Sequence, residues 1–271
     1  NGSQNTGLTL EANTNLNDFL INEHLLQSPG FQTERLPEAT YSVVGDDIFG
    51  GALTYYSETR AGLLKLNLAE NDLSDQGYTD AIAQDAFGIN ANQTIADRLG
   101  AEGYNSSEIL RFDTRHEFEA PIRLDERGAW NLTPFAVGRF TAYDTDFDEF
   151  RTASGSDEED EYRLWGAVGA RLGTSIVKVD NSFGSELFDL TRLRHIVEPT
   201  ATVWFSESSL DDGSLPVYDE TVEGIADGFS YRVGLRNTWQ TKRGPSNALR
   251  SVDWLVLDTS YTWSDDDTPI D

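Results

Sequence analysis

The sequence predicts an all-β chain: an antiparallel transmembrane β-barrel segment of about nine or ten strands. Three observations predict it. Apolar and polar residues alternate along many segments, the connections between those segments are long and short in near-regular turn, and no apolar run is long enough for a membrane-spanning helix. A strand points successive side chains to opposite faces, so alternation gives one apolar wall and one wet wall. A spanning helix needs about 20 apolar residues, whereas a tilted barrel strand needs only about 9–11, half of them apolar.

In chain order the strand candidates begin with Gly7 to Leu16, Thr33 to Val44 and Gly50 to Leu66. Ile109 to Leu124 follows, with Leu110, Phe112, Phe118, Ala120, Ile122 and Leu124 on one face and Arg111, Asp113, Arg115, Glu117, Glu119 and Arg123 on the other. Ala129 to Tyr143 is next. Along Glu161 to Ile176, Tyr162, Leu164, Val168, Ala170, Leu172 and Ile176 oppose Glu161, Arg163, Trp165 and Arg171. Leu193 to Ser206 carries Arg194 and Glu198. Phe229 to Gln240 sets Phe229, Tyr231, Val233, Leu235 and Trp239 against Ser230, Arg232, Gly234, Arg236, Thr238 and Gln240, with Asn237 the one polar residue in the apolar parity. Asp253 to Trp263 closes the series.

Short turns are expected at Gly45–Phe49, Asp125–Gly128 and Arg243–Leu249. Long polar loops are expected at Asn17–Gln32, Ala69–Ser107, Asp144–Asp160 and Glu207–Gly228, with an intermediate one at Asn181–Arg192. Membrane barrels have this asymmetry, with short turns on one side and long loops on the other. Within the longest loop, Tyr78 to Gly100 places Ile82, Ala86, Ile95 and Leu99 at loosely helical spacing broken by Gly88, so the insertion at about 69–107 is partly helical. Tyr143, Tyr162, Trp204, Trp239, Tyr261 and Trp263 lie near strand ends, where an aromatic girdle would stand. Pro37, Pro121, Pro134 and Pro199 each remove a ladder donor and predict local bulges.

Composition removes several functions. Lys+Arg 20 against Asp+Glu 47 gives a net charge of -27, which excludes a nucleic-acid partner because no basic footprint exists for phosphate chains. Cysteine is absent, which removes disulfides, thiol chemistry and cysteine zinc sites; His24, His116 and His195 are too scattered for a histidine metal centre. No methionine occurs even at position 1, which reads as a mature or excised piece of a longer protein. The acidic runs Ser156–Glu161, Asp211–Asp212 and Ser264–Thr268 have no EF-hand spacing and read as solvated loops.

The segment Leu193 to Phe205, LRHIVEPTATVWF, resembles the barrel of the lipopolysaccharide-assembly outer-membrane protein family, LptD (OstA). RFDTRHEFEAPIRL followed by WNLTPFAVGRFTAY, and ERLPEATYSV after NDFLINEH, are similar to the same family, and they occur in its order from about Asn17 to Trp263. The resemblance implies that the chain is a section of a larger barrel wall in the cell outer membrane. It implies lipopolysaccharide and outer-membrane lipids as ligands, and as partners an LptE-like plug lipoprotein and periplasmic lipopolysaccharide-bridge proteins. The chain is too short for the whole barrel and lacks the cysteines that pair in some members.

Transport needs a wet passage rather than a catalytic constellation, so neither an enzyme nor a cofactor is expected. The lumen-facing candidates are Arg111, Asp113, Arg115, Glu117, Glu119, Arg123, Arg163, Arg171, Arg194, Glu198, Arg232 and Arg236. Arginine suits a phosphorylated glycolipid because its planar fork donates two parallel hydrogen bonds; the same charges could instead pair across strands and hold the wall together. Glu117 beside Glu119, and His195 near Glu198, are too weak to mark an active site. Two other functions share the pattern: a secreted acidic all-β module that binds carbohydrate or calcium, and a porin-like solute channel.

Overall fold

The computed structural model describes residues 5–15, 30–147, 150, 161–211, 213–225, 227–245 and 247–265. The chain is all-β apart from two short helices. Its strands are β1 (Thr6–Asn13), β2 (Phe31–Ile48), β3 (Leu53–Leu68), β4 (Glu108–Glu119), β5 (Ile122–Arg123), β6 (Trp130–Tyr143), β7 (Tyr162–Thr174), β8 (Ile176–Ser185), β9 (Leu190–Ser208), β10 (Gly228–Arg243) and β11 (Arg250–Ser264). They form one antiparallel sheet in the order β1-β2-β3-β4-β6-β7-β9-β10-β11, with β5 beside β6 and β8 beside β9. The sheet is open, with β1 and β11 at its edges.

Two of these elements are extensions of their predecessors. Arg111↔Tyr143 in β4 and Arg123↔Asn131 in β5 share one register against β6, so β5 continues β4 beyond Ala120 and Pro121. Gly173↔Thr200 in β7 and Ile176↔Val197 in β8 likewise share one register against β9. The eleven elements therefore reduce to nine continuous strands in an up-and-down meander. The strand ends that lead into residues 14–30, 69–107, 144–161 and 209–227 share one side of the sheet. The tight turns at 49–52, 124–129, 186–189 and 244–249 occupy the other.

Several boundaries differ from the sequence expectation, each for a local reason. Gly45 is a bulge rather than a turn: Val44 pairs with Tyr56 and Asp46 with Tyr55, and a φ of 78° lets glycine absorb the extra residue. The expected loop Asn181–Arg192 is mostly strand. Its residues Asn181 to Ser185 belong to β8 and Leu190 to Arg192 to β9, with Asn181 to Phe183 forming a bulge opposite Arg192 that interrupts the alternation. Pro37 does sit at a register shift, between Arg35 and Glu38. Pro134 does not bulge. It lies in register opposite Ala170, and its carbonyl takes the Ala120 amide beside the Pro121 break. Pro199 is also in register, opposite Leu235, and borders the break between β7 and β8. Residue 16, most of the loop 17–32, residues 148–149 and 151–160, Asp212 and residues 266–271 lie outside the described residues.

The polarity of the sheet is inverted relative to a water-soluble one. Along β4, Arg111 and Asp113 are 1% and 0% exposed, whereas Leu110 and Phe112, which alternate with them, are 47% and 41% exposed. The cross-strand register extends that apolar face: Phe118 meets Ala136, Ala136 meets Val168, Val168 meets Phe205 and Phe205 meets Phe229. Further along, Tyr231 meets Trp263 and Val233 meets Tyr261. Two groups of polar residues on this face satisfy one another. Tyr55 Oη lies 2.7 Å from His116 Nδ1, Thr114 Oγ1 lies 3.1 Å from His116 Nε2, and Thr59 and Thr114 are 2.8 Å apart. Asn237, the exception to the alternation, holds His195 Nε2 at 3.0 Å, and His195 stacks on Trp239.

The aromatic residues divide between the two faces. Tyr162, Trp239, Tyr261 and Trp263 belong to the apolar face, but Tyr143 is buried on the charged face and Trp204 shares the parity of Ser230. These two are not girdle residues, because side-chain parity rather than nearness to a strand end decides the face.

The apolar core sits at the long-loop side. Leu64, Leu66 and Leu68 of β3 pack with Ile109, Tyr143, Phe147, Phe150, Leu210, Leu215 and Tyr218. Two helices cover them, α1 (Asp80–Phe87) and α2 (Ile95–Ala101). Gly88 ends α1 at φ 70°, and Thr94 with Asp97 forms a capping box on α2. Ile95 and Leu99 are buried as their spacing predicts; Ile82 and Ala86 are exposed and Ala83 takes the buried position instead.

Candidate functional site: the charged face and its covering loop

All twelve lumen-facing candidates lie on the charged face, because their registers bring them to one side of the sheet. They separate into three groups. Arg111, Asp113 and Arg163 belong to a buried network under the loop 209–227. Arg115, Glu117, Glu119 and Arg171 form a half-buried cluster nearer the tight turns. Glu198, Arg232 and Arg236 line an open groove with Asp258 and Ser260 on β10 and β11. Arg194 and Arg123 stand apart, Arg194 beside Gln240 and Arg123 next to the Gly128 turn.

The buried network is built by cross-strand register. Arg111 reaches Glu38 at 3.0 Å on one side and Glu223 at 2.9 Å on the other. Gly62, in the strand between them, has no Cβ; one added there would lie 2.7 Å from Glu38 Cα, so only glycine lets β2 come this close. The Glu223 carboxylate also accepts from Tyr143 Oη at 2.8 Å and the Asp219 amide at 2.7 Å. Arg139 grips Asp113 with two parallel bonds of 2.7 and 2.8 Å, and Thr141 donates to the same carboxylate at 2.8 Å. Arg139 and Arg163 then donate to the loop's own carbonyls, Thr221 from Arg139 and Val222 and Glu223 from Arg163.

Asp219 completes the seam. It meets Arg60 at 2.9 Å and Arg35 at 3.4 Å, while Thr33 donates to the neighbouring Tyr218 carbonyl at 2.8 Å. Burial opposes ionisation of Asp219, but hydrogen bonds from the Thr221 hydroxyl and amide, with Arg111 and Arg60 nearby, outweigh it and hold the carboxyl below its usual range. Burial, reinforced by Glu223, pushes the Tyr218 phenol up.

In the second cluster Glu117 accepts from both Arg115 and Arg171, Glu119 accepts from Arg171, and the Arg171 guanidinium sits 4.3 Å from the Phe135 ring centre. The third group is looser: Arg232 donates to Ser260 at 3.2 Å, and Arg236 lies 3.9 Å from Asp258. For the first two clusters cross-strand pairing prevails over free, ligand-ready charge; the groove of the third keeps its arginines exposed.

Glu38, Arg139, Asp219 and Glu223 are central residues that sequence patterning did not select. Arg139 was accessible to it, since it occupies the polar parity of β6. Asp219 and Glu223 were not, because a loop carboxylate has no periodicity to announce which face it covers.

Removing one partner of a buried pair leaves the other charge uncompensated. Glu223→Ala is therefore expected to cost about 3–5 kcal/mol, read from denaturant midpoints, and to expose 209–227 to protease. For Asp219 the sign is that of a depressed carboxyl: its stabilisation is full above the ordinary Asp range and disappears as pH falls through the lowered value. Hydrogen-exchange protection of residues 217–224 should hold from neutral pH into that range and collapse only in stronger acid, and Asp219→Asn should abolish the acid step. Compared with known proteins, the chain matches no family model and no curated protein sequence.

Proposed function

We propose that this chain is part of the wall of an outer-membrane β-barrel of the LptD kind, which carries lipopolysaccharide to the outer leaflet. The observation that carries the membrane part of this reading is the inverted polarity of the sheet, with Arg111 and Asp113 shielded and Phe112 and Leu110 bare. Buried charge beside exposed aromatic side chains is unfavourable in water and favourable where hydrocarbon meets one face and a hydrated lumen the other. The placement of every tight turn on one side supports the same reading, and so does the density of acid in the long loops. The order of the LRHIVEPTATVWF, RFDTRHEFEAPIRL and ERLPEATYSV segments supports the choice of family.

In this reading the apolar face meets the outer-membrane lipids, and the groove of Glu198, Arg232 and Arg236 lies along the glycolipid's path. The loop 209–227 narrows the lumen from within. A plug lipoprotein and periplasmic bridge proteins are the partners the family implies. Among the described residues the apolar face of the sheet is not packed against a second sheet, which favours this reading over a soluble binding module.

Thr202 and Val203 are adjacent on β9 and point to opposite faces, so they provide a test. Benzoylphenylalanine at Thr202 is expected to give light-dependent adducts with lipopolysaccharide that fade within minutes once lipopolysaccharide synthesis is halted. At Val203 the adducts should be with bulk membrane lipid and should not respond to synthesis. Supply-independent labelling at Thr202, with sugar-driven swelling of liposomes that hold the protein, would indicate a solute channel instead. A protein that purifies without detergent would contradict both.

A further inference from the structure

We infer that the tight-turn side of the sheet holds a binding site for a phosphate monoester, built from Arg192, Arg194 and Lys242. The three cations line a cavity of about 230 Å³ together with Asn181, Gln240, Thr241 and Ser251. That volume takes a phosphate group and several waters at ~30 Å³ each.

Charge balance distinguishes this cavity. In a chain of net charge -27, the other described arginine clusters of the charged face bring their own carboxylates: Glu38, Asp113 and Glu223 in the buried network, Glu117 and Glu119 in the second cluster, Glu198 and Asp258 in the groove. No carboxylate lines this one. Two neighbouring acids are engaged elsewhere, Asp180 accepting from Ser182 and Phe183 and Asp189 pairing with Arg243 at 3.4 Å, while Asp253 stays behind the lining residue Gln240, from whose amide it accepts at 2.8 Å. Among the described residues the Arg192 guanidinium has no hydrogen-bond or ion-pair partner.

The backbone supplies the second observation. Asp180 pairs with Leu193 and Gly184 with Thr191, so three residues of β8 bulge opposite the single residue Arg192. Arg192 absorbs the mismatch at φ 58°, a left-handed conformation that costs an arginine what glycine would not lose. Thr241 locks it there, accepting from the Thr191 amide at 2.8 Å and donating to the Thr191 carbonyl at 3.0 Å. A strained cation placed beside two others, with the Asn181 amide and the Ser251 hydroxyl in the same lining, supplies the kinds of donor that a phosphate dianion takes. Lys242, 2.9 Å from Ser251, adds a point charge. The site does not rest on the transport reading, since it requires only this end of β8 to β11.

Phosphate chemistry reaches such a site either as a free ion or on a lipid headgroup, and calorimetry on the detergent-solubilised protein separates the two. Inorganic phosphate and dihexanoyl phosphatidate, a short-chain phosphomonoester lipid, are titrated separately at low and high salt. Saturable, salt-sensitive binding of either supports the site, and binding of phosphatidate alone identifies the lipid as the source. Arg192→Gly keeps the left-handed backbone while removing the cation, and it should weaken binding about tenfold or more; Lys242→Gln should act in the same direction. Unchanged circular dichroism and an unchanged thermal midpoint establish that these variants are folded. No saturable binding of either probe, or binding that Arg192→Gly and Lys242→Gln leave intact, overturns the inference.

Discussion

Arg111, held between Glu38 and Glu223, is the interaction on which the architecture depends. A guanidinium removed from water must be neutralised on the spot, and no single neighbouring strand can do it. β2 supplies Glu38 from one side and the loop 209–227 supplies Glu223 from above. That requirement explains the missing Cβ at Gly62, the Tyr143 hydroxyl on the same carboxylate, and the way Arg139 and Arg163 take up the loop's carbonyls. The covering loop is thus fixed by charge at Asp219 and Glu223 and by apolar burial at Leu210, Leu215 and Tyr218, whereas α1 and α2 are fixed by the leucine ridge of β3.

Sequence reading reached the faces more reliably than the boundaries. In Phe229 to Gln240 the two-residue period is enough, because a one-residue slip would reverse every side chain. It assigned Arg232 and Arg236 to one wall and Val233 and Leu235 to the other, as the structure has them. It failed on β8, where a bulge between Asp180 and Gly184 breaks the pattern, and on Gly45, where a bulge and a turn use the same residue. Tyr143 and Trp204 were misplaced because nearness to a strand end says nothing about parity. Pro134 was misjudged because a proline whose missing donor faces an existing ladder break disturbs no register.

The candidate site was half legible for the same reason. Arg111, Asp113, Glu117 and Arg163 follow from alternation, but the Arg111 partners Glu38, Asp219 and Glu223 are brought in by tertiary folding. Arg192 shows the opposite limit. Its importance comes from a bulge three residues against one, which no local pattern in Leu190 to Leu193 reveals.

Whether the bare aromatic face meets hydrocarbon is the claim that supports the rest. The chain has no cysteine, so a single cysteine can be placed at each position from Phe229 to Gln240 and spin-labelled without ambiguity. With the protein in a phospholipid bilayer, oxygen, which concentrates in hydrocarbon, should relax labels at Tyr231, Val233 and Leu235. A water-soluble nickel chelate should relax those at Arg232, Gly234 and Arg236. Equal access of the nickel chelate to both sets, or an alternation of opposite sign, would contradict the account.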